Sequence, residues 1–495
     1  MPGYYVENFG CRATQADGAA LERQFEEQGL GRASSPKHAS VVILNTCTVT
    51  NGADQDARAA IRRVRRDNPD ARIVVTGCYA QRAPEEIAAL PGVDIVVGNS
   101  HKHQLARIAL QDHRVRQAPP TFISVDSLGA NGQRPTTDDQ RPIFVSDIFA
   151  HTELLAAPVF DAANERTRPN LKVQDGCDNR CSFCVIPYVR GQSRSLETHR
   201  IIQEVRTLVG AGYREVVISG INLGRWGRDL DGGPQTSDAR SPRLSELGPE
   251  VRGPKSEVCL TPDARRLTPA LADLIRTILN ETSLDKLRIS SVEPMDWSDE
   301  LIDLVSSSAR IAKHAHVPMQ SGSDAVLRRM HRKYRPWHYR EKIEKIHCAM
   351  PHAAIGADVM VGFPGESDSE FEATRKMIEE LPFTYLHVFT YSARPGTPAA
   401  AMPNQVPVHV ARERNRILRA LSSVKKLAFM QSFTGKKLEA ITLNVVGNDS
   451  DGEFTEALTD NYLKLRLKGR HEPNRWQMVN VQAVVDGSLS GNRVV

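Results

Sequence analysis

Short apolar strands alternate with helix-like stretches through most of this 495-residue chain, and that alternation confines it to an α/β fold built on parallel sheet. In the first hundred residues Tyr4–Asn8, Val41–Asn45 and Arg72–Thr76 read as strands. Helical stretches follow at about Asp17–Glu27, Ala53–Arg66 and Pro84–Leu90, and a fourth strand, Val93–Val97, ends at Gly98-Asn99. In each of the first three repeats a cysteine stands two or three residues beyond the strand: Asn8-Phe-Gly-Cys11, Asn45-Thr-Cys47 and Thr76-Gly-Cys78. Ligands of open α/β sheets gather outside the carboxyl ends of the strands. Three cysteines placed there converge, although 36 (47−11) and 31 (78−47) residues separate them. Free cysteine is also an ordinary small buried residue at strand ends. The triplicated position, with Gly10, Thr46, Thr48 and Gly77 leaving space around it, points instead to a cluster.

From Leu171 the alternation returns six times, with strands near Leu171–Gln174, Glu215–Ser219, Lys286–Ser290, His314–Pro318, Ile355–Val361 and Tyr385–Phe389. Six βα repeats predict a partial (βα)6 barrel whose working loops lie at the carboxyl ends of its strands. The first of those ends carries Val173-Gln-Asp-Gly-Cys-Asp-Asn-Arg-Cys-Ser-Phe-Cys184. Spacings of three and then two residues let one loop wrap Cys177, Cys181 and Cys184 around one face of an iron–sulfur cube. A cube so held keeps one iron open, to which the amino and carboxylate groups of S-adenosylmethionine can bind, and an electron delivered there can release a deoxyadenosyl radical. The arrangement resembles the radical-SAM superfamily. Structural zinc asks for four closed ligands, and no histidine or fourth cysteine lies within about ten residues of the run. Disulfides are disfavoured because the chain begins Met-Pro-Gly-Tyr-Tyr-Val-Glu with no charged and then apolar leader. The expected compartment is the reducing cytoplasm.

Other loops at the same rim carry small or polar residues suited to S-adenosylmethionine. They are Ser219-Gly-Ile-Asn222, Ser290-Ser-Val-Glu-Pro294, Met319-Gln-Ser-Gly-Ser323 and Asp358–Glu366. Ser219, Gly220, Ser291, Glu293, Gln320, Asp358 and Gly362 are the candidate cofactor-binding residues among them. Each loop alone is an ordinary strand-end turn; their joint placement at one rim carries the reading. Cys259, in an insertion, and Cys348, on a helix, stand apart from both trios.

Four regions follow: an α/β Rossmann-like parallel-sheet domain over 1–110, a linker over 111–165 containing Gly129–Gln140, a barrel core over 166–430, and a small β-barrel over 431–495. A strand at Pro142–Phe149 interrupts the linker, and an insertion at about 228–266 interrupts the core. A long helix at Val410–Phe429 leads to strands at Glu439–Val445, Glu453–Thr459, Leu463–Lys468 and Met478–Asp486. Barrels of this size often bind single-stranded or looped nucleic acid. A net charge of +5 permits a polyanionic partner without demonstrating one. Basic tracts at Arg58–Arg66 and Arg328–Lys333 suit phosphate contact or a solvated helix face equally. In Lys464-Leu-Arg-Leu-Lys-Gly-Arg470, strand alternation puts the charges on one face. No apolar run approaches the roughly 20 residues that span a bilayer.

Asn8–Cys11, Asn45–Asn51, Thr76–Gln81, Val173–Cys177, Val361–Gly365 and Ser392–Pro398 together resemble the characteristic runs of the radical-SAM methylthiotransferase family, over nearly the whole chain. Thr46–Asn51 and Gly77–Gln81 are most similar to the subgroup acting on N6-threonylcarbamoyladenosine beside the tRNA anticodon. Enzymes of isopentenyladenosine and of a ribosomal protein are close relatives and remain alternatives, as does, in another class, a non-catalytic iron–sulfur RNA-binding sensor. The resemblance implies two [4Fe–4S] clusters and S-adenosyl-L-methionine. Cys177, Cys181 and Cys184 would hold the catalytic cluster that cleaves S-adenosylmethionine; Cys11, Cys47 and Cys78 would hold an auxiliary cluster carrying the sulfur to be placed on adenine C2. It further implies a terminal TRAM barrel. The partners it implies are the tRNA anticodon stem-loop, an electron donor such as flavodoxin or ferredoxin, and a sulfur source, with no membrane. The insertion departs from the family's compact core and touches no motif.

Overall fold

The computed structural model describes residues 3–111, 141–151, 154, 168–230, 270–449 and 452–494. Most of the expected linker, the insertion from residue 231 onward and Cys259 lie outside the described residues. The chain forms two compact units. One comprises Met1–Phe160, Cys177–Gln192 and Ser392–Pro403; the other comprises Asp161–Gly176, Ser193–Tyr391 and Asn404–Val495.

The first unit is a six-stranded parallel sheet of β1 (Gly3–Asn8), β2 (Gly31–Arg32), β3 (Val41–Thr46), β4 (Arg72–Gly77), β5 (Ile95–Val97) and β6 (Ile143–Phe144), in the order β2-β1-β3-β4-β5-β6. Its helices are α1 (Arg12–Glu27), α2 (Asn51–Asp67), α3 (Cys78–Arg82), α4 (Pro84–Ala88) and α5 (Leu105–Leu110). The central strands are apolar throughout because both faces are covered. Val42, Leu44, Ile73 and Val75 pack with Ala57, Ile61 and Val64 of α2, while Ile43 and Val74 pack with Leu21, Phe25, Leu105 and Ile108. Thr50 caps α2, its side chain accepting from Ala53 N at 3.2 Å. Two expectations change in detail. The strand expected at Pro142–Phe149 is the two-residue β6, and the helix expected at Pro84–Leu90 is α4, preceded directly by α3. The α6 segment (Ile186–Arg190), which follows Cys184, belongs to this unit.

The second unit holds β7 (Asn170–Asp175), β8 (Arg194–Ser195), α7 (Thr198–Gly210), β9 (Glu215–Gly220), α8 (Leu271–Glu281), β10 (Lys286–Ile289), α9 (Asp299–Ser307) and β11 (His314–His316). It continues through α10 (Asp324–Arg329), α11 (Pro336–Ala349), β12 (Ala354–Val361), α12 (Asp368–Glu380), β13 (Tyr385–Thr390) and α13 (Val408–Gln431). Its sheets run β10-β9-β7-β8 and β11-β12-β13, and isolated bridges Leu287↔Ile311 and Ser291↔His316 join β10 to β11. Apart from β8, all pairs are parallel, as a partial (βα)6 barrel requires. β11 stops at His316, short of the expected Pro318, because proline cannot donate to a ladder.

The last strands, β14 (Lys437–Asp449), β15 (Gly452–Thr459), β16 (Lys464–Lys468), β17 (Trp476–Val485) and β18 (Ser488–Arg493), close as β14-β15-β16-β18-β17. Leu465, Leu467, Val479, Val481 and Leu489 fill this small barrel, and Met430 in the last turn of α13 and Phe433 just beyond it pack against them. Its Thr459–Tyr462 turn sits on the amino-terminal ends of the larger barrel's strands. Arg288, fully buried, pairs with Glu215 at 2.6 Å and donates to the Asp460 carbonyl at 3.0 Å. Its guanidinium lies 5.4 Å from the centre of the Tyr462 ring. Lys286 reaches Glu439 at 2.9 Å, and the Tyr462 ring lies tilted against His314 with centroids 4.6 Å apart; His314 shares a 2.6 Å hydrogen bond with Tyr385.

Candidate metal centre

Asn8, Asn45 and Thr76 lie level across three adjacent strands, since the register pairs Asn8 with Asn45 and Asn45 with Thr76. Cys11, Cys47 and Cys78 therefore leave neighbouring strands on one edge of the sheet, where strand spacing is about 4.8 Å. Cys11 caps the start of α1 and is exposed; Cys78 opens α3 and, like Cys47, is buried. Gly10 lies directly against Cys47. A Cβ on Gly10 would fall 2.6 Å from Cys47 Cβ and 2.9 Å from its Sγ, and φ there is +104°. At Gly77 (φ +99°) a Cβ would meet the Thr46 carbonyl at 2.3 Å. The Asn45 amide ties the strand ends together, donating to Asn8 Oδ1 and to the Thr14 carbonyl, both at 2.8 Å.

The Cys47 thiol senses the other two. Burial, then Cys78, and to a smaller degree Cys11 push the Cys47 thiol up to about 12, while the Val49 N–H and Arg190 pull it down. Soft thiolates crowded at one edge, with glycine on the approach, fit an iron–sulfur cube. No three His, Cys, Asp or Glu side chains among the described residues are drawn together tightly enough for one metal ion. A cube takes each thiolate on a different iron and does not ask for that.

A buried polar frame holds the loop after Cys47. Thr48 Oγ1 donates to Asp54 at 2.6 Å; Arg82 reaches Thr48 Oγ1 at 2.8 Å and Asp54 at 3.0 Å. Arg394 donates to the Thr48 carbonyl at 3.0 Å and to Asp54 at 2.8 Å. The Asn51 N–H donates to Ser392 Oγ at 3.1 Å, so the run Ser392–Pro398 clamps this loop. Arg394 and Asp54 were not foreseen as site residues, because a charged residue is expected outside; the motif around Arg394 was the available signal.

Cys177, Cys181 and Cys184, all half-buried, form a second loop in the same unit. The Cys177 N–H donates to the Gly191 carbonyl at 3.1 Å, Cys184 N–H to the Cys181 carbonyl at 3.1 Å, and Asn179 N–H to Cys177 Sγ at 3.4 Å. The Ser182 carbonyl accepts from Ala399 N–H at 2.8 Å. Both trios therefore fold within one compact unit, which sequence distance did not disclose.

In the second unit four candidate or neighbouring residues are linked. Ser291 bridges His316, His316 Nε2 lies 3.4 Å from Asp358 Oδ1, and the Asp358 carbonyl accepts from Gln320 N–H at 2.8 Å. Gln320 has a left-handed backbone (φ 61°). Ser219 Oγ is buried with no hydrogen-bond partner among the described residues. Gly220 abuts Gln174, whose Oε1 accepts from Asn222 N–H at 2.7 Å. Glu293 is ion-paired with Arg332, and Gly362 packs on Ala411. The basic tracts are largely committed internally: Arg63 to Glu7 and Arg65 to Asp94, each at 2.5 Å, Arg328 to Asp324 and Arg329 to Glu370, each at 2.8 Å. On β16, Lys464 and Lys468 are exposed, Arg466 is half-buried and Leu465 and Leu467 are buried, the alternation expected.

The radical SAM superfamily pattern matches residues 171–378, and that described as uncharacterized protein family UPF0004 matches residues 3–98. The chain is thus an enzyme of the radical SAM class, whose chemistry uses an iron–sulfur cluster and S-adenosylmethionine. It is similar to the threonylcarbamoyladenosine tRNA methylthiotransferase of Bacillus subtilis, 36% identical over 464 residues covering 94% of this chain and 90% of the relative. The enzyme of the same description from Aquifex aeolicus is 33% identical, covering 94% and 97%. The chain belongs to the threonylcarbamoyladenosine tRNA methylthiotransferase family. Among solved structures, the radical S-adenosylmethionine methyltransferase TsrM of Kitasatospora setae is similar over 80% of this chain and 74% of that one, with TM-score 0.48 and 16% identity.

Proposed function

We propose that this protein adds a methylthio group to C2 of N6-threonylcarbamoyladenosine next to the anticodon of tRNA, as a radical-SAM methylthiotransferase. In this reading Cys177, Cys181 and Cys184 hold the [4Fe–4S] cluster that cleaves S-adenosylmethionine, and Cys11, Cys47 and Cys78 hold a second one. When bound, the clusters and S-adenosylmethionine supply the electron, the carbon radical and the sulfur. An aromatic C–H offers an acid or base no handle, which is why such a group is needed. The observation that carries the reading is the placement of Cys11, Cys47 and Cys78 just beyond three level strand ends, with Gly10 lying against Cys47.

The chain's own residues do the holding. Burial of Cys47 and Cys78 keeps water from two of the three thiols. The frame of Thr48, Asp54, Arg82 and Arg394 fixes the loop between Cys47 and α2. Ser219, Gly220, Ser291, Glu293, Gln320, Asp358 and Gly362 are assigned to S-adenosylmethionine, the buried Ser219 hydroxyl supporting this most directly. Lys464, Arg466 and Lys468 present charge suited to the phosphates of an anticodon stem-loop. A low-potential donor such as flavodoxin or ferredoxin, a sulfur source and a cytoplasmic setting complete the reading; no described helix is long and apolar enough to cross a membrane.

The test is to incubate anaerobically reconstituted protein with total tRNA and digest the tRNA for mass spectrometry. The expected product is the methylthio derivative of threonylcarbamoyladenosine, absent with Cys47→Ala or Cys177→Ala. Methylthiolation of isopentenyladenosine instead would reassign the substrate. Failure to form deoxyadenosine under strong reductant, with iron fully loaded, would favour the RNA-binding sensor.

A further inference from the structure

Helix α6 brings a charge to the auxiliary cysteines. Val185 and Val189 pack against Cys78. Asn99 ties that contact down, its Nδ2 donating to the Val189 carbonyl at 2.7 Å while lying 3.6 Å from Cys78 Sγ. The next residue, Arg190, is thereby turned inward, its side chain 2% exposed, and donates to Asp17 Oδ2 at 3.0 Å. Lys102 Nζ donates to the same oxygen at 3.0 Å and to Asn45 Oδ1 at 3.2 Å. One buried carboxylate, Asp17, thus takes hydrogen bonds from two buried cations. Asn45 is two residues from Cys47, and Val189, next to Arg190, packs on Cys78.

Three thiolates around an iron–sulfur cube are negative, and each electron added makes them more so. Fixed charge beside a cluster is one of the levers that set its reduction potential.

We propose that Arg190 is a positioning residue of the auxiliary centre, supplying the fixed positive charge that makes a cluster held by Cys11, Cys47 and Cys78 easier to reduce. The proposal deepens the assignment of those cysteines as ligands and rests on it. It is tested in full-length protein carrying Cys177→Ala, Cys181→Ala and Cys184→Ala, so that iron reports the auxiliary centre alone. Iron is counted after anaerobic reconstitution, and the midpoint potential is read by an EPR-monitored titration. Arg190→Met is expected to disfavour the reduced form about tenfold, roughly 59 mV downward for a one-electron couple. Arg190→Lys should stay near the parent, and Asp17→Asn should move the midpoint upward. Coincident midpoints for the parent and Arg190→Met, or a Lys variant that falls as far as the Met variant, would overturn the proposal. Should Arg190→Met fail to keep iron, Asp17→Asn decides: an upward shift supports the charge, and an unchanged midpoint overturns it. A parent that binds no iron removes the ligand assignment, and the proposal with it.

Discussion

Gly10 and Cys47 meet so closely that the loop before α1 can pass only without a side chain. Gly10→Ala forces both a clash and a left-handed alanine, a strain of order 1–3 kcal/mol. It is expected to lower bound iron to about half while leaving Cys177–Cys184 loaded, as iron analysis would read. Asp54 is the other exacting residue, since it serves Arg82 and the buried Arg394 together. Asp54→Ala strands Arg394 inside the unit and should cost about 3–5 kcal/mol, measured by denaturant unfolding. Cys47 adds a pH dependence to the metal-free protein. Its folded thiol, pushed up to about 12, stays neutral where the unfolded one ionises near the ordinary ~8.5. Above that value the unfolded state binds fewer protons, so stability falls as pH rises, by at most about 1.4 kcal/mol per pH unit. Thermal unfolding of the apo form from pH 8 to 10 should show this decline, and Cys47→Ala should flatten it.

Among the elements, the small terminal barrel is bound into the core by its Thr459–Tyr462 turn, not appended to it. Glu215 and Arg288 are both fully buried and paired. Removing either alone should destabilise by about 3–5 kcal/mol, and removing both by clearly less than the sum, in a double-mutant cycle. Additive losses would mean that the pair does not act as one. The strands that end in cysteines were legible because each is a short apolar run closed by a small residue. β18 was not: Ser488-Leu-Ser-Gly-Asn-Arg493 has one large apolar side chain, Leu489, and only pairing with β16 and β17 makes it a strand. β2 is likewise two exposed residues, Gly31 and Arg32, held by β1.

Taken whole, the chain weaves three distant segments into its first unit: the N-terminal sheet, the loop and helix from Cys177 to Gln192, and Ser392–Pro403. Periodicity reads segments one at a time, so it located the cysteines and missed what binds these pieces: Asp17 with Arg190, 173 residues away, and Asp54 with Arg394, 340 away. Those pairs are buried charges, the residues that composition most strongly assigns to the surface. The iron content of anaerobically reconstituted Cys47→Ala and Cys177→Ala, set beside the unmodified chain, asks whether two separate clusters exist here. Each substitution should remove about half of the iron and leave the EPR signal of the other centre. Loss of iron in Cys177→Ala with none in Cys47→Ala would contradict a second cluster, and with it sulfur insertion by this protein.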